Sequence, residues 1–134
     1  MSASLPTGGV FAAPHDPAAL GGLRRGVDTW RKIDLARVSG KDGLLKAFAR
    51  ALGFPAHFGH NWDALADALE DLGWLRWSAL VIELENTERL RVDAAEDWSI
   101  ALDILRNAAI FWGKQGKAFV AIVHGAVDLP RLDA

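Results

Sequence analysis

The 134-residue chain contains no cysteine. That excludes a disulfide scaffold, thiolate metal ligands and thiol chemistry, and it agrees with a reducing compartment. No stretch of about 18 apolar residues occurs, so no segment reads as membrane-spanning. Met1–Pro17 lacks a basic residue followed by an apolar run, which leads us to expect no secretory leader and a cytoplasmic location. The clustered basic face of a nucleic-acid binder is also missing. No Gly-rich phosphate loop and no nucleophile motif stand in the sequence. The expectation is therefore a protein that is not an enzyme, with no cofactor and no metal.

The net charge of −2 hides a polarity along the chain. Residues 1–50 hold 8 Lys/Arg against 4 Asp/Glu, and residues 51–134 hold 7 against 13. Between Arg50 and Arg76 there is no Lys or Arg, yet Asp63, Asp67, Glu70 and Asp71 fall there. An acidic half without counter-charge points towards a basic partner. Arg24, Arg25, Arg31, Lys32, Arg37 and Lys41 read as a solvated surface.

Half the residues are hydrophobic, which gives one domain with a real core. Residues 1–27, punctuated by Pro and Gly, read as an irregular N-terminal arm. Two exceptions stand inside it: an extended piece at Gly9–Ala12, and a helical turn or two at Pro17–Arg25 capped by Asp16. Residues 28–134 read as the domain proper. Trp30–Leu35 alternates like a half-exposed edge strand, and Ala79–Leu84 and Ala118–Val123 are short apolar runs that suit buried strands. Leu44, Leu45, Phe48 and Leu52 lie at helical spacing in Lys41–Leu52, which Gly53 and Pro55 stop. Asn61 is a good N-cap for a helix running to about Leu72. A short helix is expected at Glu85–Leu90 and the longest at Asp93–Gly113. That last helix carries a core stripe (Trp98, Ala101, Leu102, Leu105, Ala108, Ala109, Trp112) and an apolar flank (Ile100, Ile104, Phe111). Strands separated by helices favour a parallel sheet, so the fold class is α/β: three parallel strands, about four helices and an N-terminal extension.

The helix at 61–72 separates two chemistries. At about 100° per residue, Asp67, Glu70 and Asp71 all fall within an arc of about 100° that contains Asp63. Trp62, Leu65, Leu69 and Leu72 lie nearly opposite. The like charges at i,i+4 cost helix stability, about 0.2–0.5 kcal/mol per pair. By pattern alone such a stripe most often means only a solvated face. His57-x-x-His60 with Asp63 has a hint of a metal site but lacks a fourth ligand and helical HxxxH spacing. Asp63 and Asp67 as a catalytic pair have no pocket to mark them. Trp74 and Trp77, which follow the acidic helix, read as partly exposed, with the other Trp residues mostly in the core.

The segment from Leu52 to Leu69 resembles the barstar family. Pro55, Phe58, Gly59, Asn61, Asp63, Ala64, Leu65 and Asp67 match that family's central pattern in order and spacing. Glu83 in the following strand, the long helix and the last strand fit its layout, so the resemblance covers residues 28–124. It implies an intracellular inhibitor that plugs the basic active site of a ribonuclease, monomeric when free, with no direct nucleic-acid or membrane contact. The implied partner-binding residues are Asp63 and Asp67, with His57, Phe58, Gly59 and His60 in the loop before them and Ala66, Glu70, Asp71 and Trp74 around them. The sequence departs from the family's pattern at His57 and Ala66, where its type member has aromatic residues, and at Asn107, where it has a Glu. The connection between Leu69 and Trp74 is also longer. These departures suit a partner with a different rim. A non-inhibitory interaction module with a basic, non-nuclease partner is the other reading the acidic stripe allows.

Overall fold

A computed structural model describes residues 5–125 and 127–132. Along the chain run β1 (Gly8–Ala12), α1 (Ala19–Arg24), β2 (Thr29–Asp34), α2 (Lys41–Leu52), α3 (Trp62–Leu69), β3 (Ala79–Glu85), α4 (Glu88–Asp93), α5 (Ala95–Lys114) and β4 (Ala118–Val123). The strands form one all-parallel sheet in the order β1-β4-β3-β2. Among the described residues no helix is long and apolar enough to cross a membrane.

Among the described residues the sheet has four strands, not the three expected, and there are five helices rather than about four. The added strand is β1, which pairs with β4 from Gly8↔Phe119 to Ala12↔Val123. Its glycines look like loop punctuation, but they serve the strand. Gly8 lies beside α5, and Gly9 adopts φ +132°, where an added Cβ would meet the Phe11 ring at 3.0 Å. Glycine reaches such a backbone conformation without a side-chain penalty. α1 holds two glycines and only six residues, too weak to stand alone. Leu20 and Leu23 fix it by burial on the sheet. Asp16 caps a turn ahead of α1, accepting from the Ala18 N–H at 3.0 Å, and Pro17 lies before the helix rather than at its first position.

Strands β3 and β4 occupy the centre and bury both faces, as their unbroken apolar runs imply, and β2 lies at an edge. Leu80, Ile82, Leu84, Phe119, Ala121 and Val123 enter the larger core with residues of α2, α3 and α5. Val81, Val120 and Ile122 enter a second core with Leu20, Leu23 and Leu132. The core stripe of α5 is buried as expected, with Trp112 half-buried at its end, while Ile100, Ile104 and Phe111 are only partly covered.

Three local expectations change. The helix after Asn61 ends at Leu69, not Leu72, because Leu72 takes a left-handed φ of 47° that swings its side chain into the core. The short helix begins at Glu88, not Glu85, since β3 runs through Glu85 and Asn86 (φ 58°) turns the chain. Trp77 is 6 % exposed, packed edge-on against Trp112 at 4.9 Å and near Phe119, so it belongs to the core.

Candidate functional site

The loop before α3 is ordered by its own chemistry. Gly53 closes α2 in the left-handed conformation (φ 65°), and the chain turns through Pro55, whose carbonyl accepts from the Phe58 N–H at 3.0 Å. Phe58 packs against Phe54 and His60, each with ring centroids 4.9 Å away. His60 has φ 50°, and its Nδ1 lies 3.0 Å from the Phe58 carbonyl oxygen. Asn61 caps α3 as its sequence position implies: its Oδ1 accepts from the Ala64 N–H at 2.7 Å, and its Nδ2 donates to the Gly59 carbonyl at 3.3 Å. Such a cap satisfies an otherwise orphan helix donor.

The far end of α3 is held from below. Trp112 Nε1 of α5 donates to the Leu69 carbonyl at 2.7 Å, which satisfies one of the free carbonyls at the helix terminus. Leu65 and Leu69 are fully buried, so the apolar stripe docks the helix as its periodicity implies. Trp74 Nε1 donates to the Leu52 carbonyl at 2.8 Å, and its ring meets Phe54 edge-on at 5.8 Å. This ties the turn after α3 to the end of α2.

Between loop and helix lies an open hollow of about 230 Å³, lined by Pro55, His57, Phe58, Gly59, Ala64, Asp67, Ala68, Asp71 and Trp74. Six of the residues singled out from the sequence therefore meet at one place: His57, Phe58, Gly59, Asp67, Asp71 and Trp74. Asp71 reaches it although it stands beyond the helix end, in a turn where its Oδ1 accepts from the Gly73 N–H at 3.2 Å. Asp63, His60, Ala66 and Glu70 do not line it. Asp63 is exposed in the first turn of α3, Ala66 is partly covered, and Glu70 is the half-buried C-cap. Pro55, Ala64 and Ala68 complete the wall. Pro55 and Ala64 stood in the sequence pattern, but only the three-dimensional turn shows that they face inwards.

Among the described residues Asp63, Asp67 and Glu70 make no salt bridge and no side-chain hydrogen bond. Lys41 sits 5.7 Å from the Trp62 ring centroid and makes no salt bridge with Asp63 or Asp67. The carboxylate row therefore projects unneutralised negative charge beside a hollow with aromatic walls. His57, His60 and Asp63 do not form a group able to hold a metal ion; the residues that do lie elsewhere. Asn107 is exposed on α5.

No curated protein matches the chain at a significant level. A family model described as Barstar (barnase inhibitor) matches residues 29–124. The match opens on β2 and closes just after β4, with α3, its loop and the hollow inside it and β1 and α1 outside it. On that match the chain belongs to the barstar family.

Proposed function

We propose that the chain is a cytoplasmic inhibitor that occludes the basic active site of a barnase-type ribonuclease through α3 and the loop before it. The family description, a barnase inhibitor, supplies the class of partner. The observation that carries the reading to particular residues is the unpaired carboxylate row of Asp63 and Asp67 beside the hollow walled by Phe58, His57 and Trp74.

The chemistry follows from what a ribonuclease needs. Its cleft holds phosphates and a negatively charged transition state, so it carries Arg, Lys and His. Asp63 and Asp67 stand in for phosphates and accept charge-assisted hydrogen bonds from those groups, bidentate where the donor is a guanidinium. Asp71, on the rim of the hollow, faces the same cations as Asp67. Glu70, outside it, speeds encounter by long-range attraction that salt screens. His57, Phe58 and Trp74 supply flat area around the charges. Because the acidic side chains point away from Leu65 and Leu69, the face is separate from the groups that hold the fold. The free protein acts as a monomer and contacts neither nucleic acid nor membrane.

His57, Ala66 and Asn107, with the longer turn at 70–73, reshape the rim relative to the family's type member. We infer a partner ribonuclease whose rim differs accordingly. The test passes the protein over immobilised barnase-type ribonucleases and measures RNA cleavage by each in its presence. Retention and silencing by the wild type, lost in Asp63→Ala/Asp67→Ala, support the reading. Retention of a basic protein without nuclease activity, through the same two Asp residues, makes the chain an interaction module instead.

A further inference from the structure

The second face of the sheet, away from α3, changes character towards the C-terminal ends of its strands. Val81 and Val120 are buried there among apolar neighbours. Two residues on, Glu83 occupies the same face at 3 % exposure. The pleat repeats every second residue, so Glu85 follows on β3, His124 follows Ile122 after β4, and Trp30 and Lys32 stand on β2. Glu83 Oε1 accepts from Trp30 Nε1 at 2.8 Å, and its Oε2 lies 2.7 Å from His124 Nε2. Arg24 of α1 approaches Glu83 only to 3.8 Å, and Lys32 approaches Glu85 only to 3.9 Å. An open cavity of about 420 Å³ lies over the group, roofed by Pro17, Leu20 and Gly21.

We propose that Glu83, Glu85 and His124 bind a divalent transition-metal cation of the zinc class. One ligand atom from each lies within 4.8 Å of the other two. A zinc ion with bonds of about 2.0–2.2 Å sets its ligand atoms about 3.4 Å apart, so the 2.7 Å contact between His124 and Glu83 opens and the wider spacing closes on binding, with a fourth position left to water from the open cavity. One imidazole nitrogen with two carboxylates suits zinc and its neighbours rather than calcium or magnesium, which take oxygen ligands. The Trp30 N–H holds one oxygen of Glu83 and leaves the other turned to His124, the kind of outer support that orients a ligand.

The cation enters between His124 Nε2 and Glu83 Oε2, now 2.7 Å apart, while Arg24 and Lys32 stand at 3.8 and 3.9 Å from the two carboxylates. Both of these side chains are half-exposed and at long range, so they swing into water when the ion enters. The site ties the ends of β3 and β4 together on the face opposite α3, so it stands whether or not α3 binds a ribonuclease.

The test titrates the full chain, stripped with chelator and desalted, with zinc chloride by calorimetry at pH 7.5. The expected result is one equivalent bound. A melting temperature raised by zinc and a change in Trp fluorescence accompany binding. His124→Ala and Glu85→Gln each weaken uptake at least tenfold. Glu85→Gln keeps shape and half-exposure, so it remains informative where His124→Ala loses its fold by circular dichroism. Absence of uptake at pH 7.5, or uptake with undiminished affinity in Glu85→Gln and folded His124→Ala, overturns the proposal.

Discussion

The two central carboxylates of α3 should respond in opposite ways when each is neutralised in the free protein. Asp67 stands in the last turn of Trp62–Leu69, where the helix dipole is negative, and four residues after Asp63. Replacing it with Asn removes a like-charge pair worth about 0.2–0.5 kcal/mol and an unfavourable dipole contact of about 0.3–1 kcal/mol. It also relieves Asp71, across the same hollow. Asp67→Asn should therefore stabilise the free chain by about 0.5–1 kcal/mol, raising Tm by about 2–4 °C for a domain of this size. Asp63 stands in the first turn, where the dipole favours its charge. Asp63→Asn relieves the same pair but forfeits that dipole contact, so its effect should lie between neutral and about 0.5 kcal/mol destabilising. Both differences should shrink in 0.5 M salt. Against the partner, each variant should lose affinity, because a cation is left buried without its carboxylate. The barnase–barstar pair is itself the reference case for such coupling, so the scale of about 2–5 kcal/mol is borrowed from it rather than computed for this chain. It corresponds to about 30- to 5000-fold in Kd. Thermal melts by circular dichroism at low and high salt, paired with titration against the ribonuclease, read both quantities. A clear destabilisation by Asp67→Asn, or an unchanged Kd, would refute the placement of that charge.

Trp112→Phe removes the donor to the Leu69 carbonyl and part of the ring that packs on Trp77; it should cost at least about 1 kcal/mol, seen as a Tm lower by at least about 3 °C and faster amide exchange through residues 69–72. Asp28 accepts from the Ala79 and Ser78 N–H groups, chiefly Ala79, which holds its carboxyl below the usual carboxylate range. A depressed folded pKa gives stability that is present above about pH 4 and lost as pH falls through the folded value, so Asp28→Asn should destabilise at pH 7 and converge with wild type near pH 2 in acid-unfolding curves. Deleting residues 1–27 removes β1 and α1 and uncovers Val81, Val120 and Ile122; the truncated chain should bind a hydrophobic dye and melt lower than the full chain, and equal melting would show that the second core is dispensable.

What was legible in the sequence followed from strong local signals. The Asn61 cap, the α2 stop at Gly53, the opposed acidic and apolar faces of α3 and the two buried strands each rest on residues near in sequence, and each stands where those residues imply. The first strand was legible only as an extended piece at Gly9–Ala12, because Gly8 and Gly9 carry the composition of a loop. Its place in the sheet depends on pairing with β4, more than 90 residues away in sequence. The early end of α3 was equally hidden: Leu72 continues the apolar stripe on paper, but the core claims it through a backbone turn. Trp77 follows the acidic helix closely enough to suggest the surface, and only the packing of Trp112 and Phe119 shows it inside. The hollow was legible as a set of residues rather than as a shape. Asp71 joined it from outside the helix, while Asp63 stayed on the rim-ward first turn. The cluster at Glu83 left almost no sequence signal, since Trp30 and Glu83 come from two strands and His124 from the residue after a third.

The most direct test of the central claim is a stoichiometric titration of a barnase-type ribonuclease with the purified chain, following cleavage of a fluorogenic RNA. The account predicts a linear fall in activity to an end point at one chain per enzyme, and an end point that Asp63→Ala/Asp67→Ala fails to reach at the same concentrations while retaining its fold. Equal inhibition by wild type and double variant would contradict the assignment of the acidic helix as the inhibitory face.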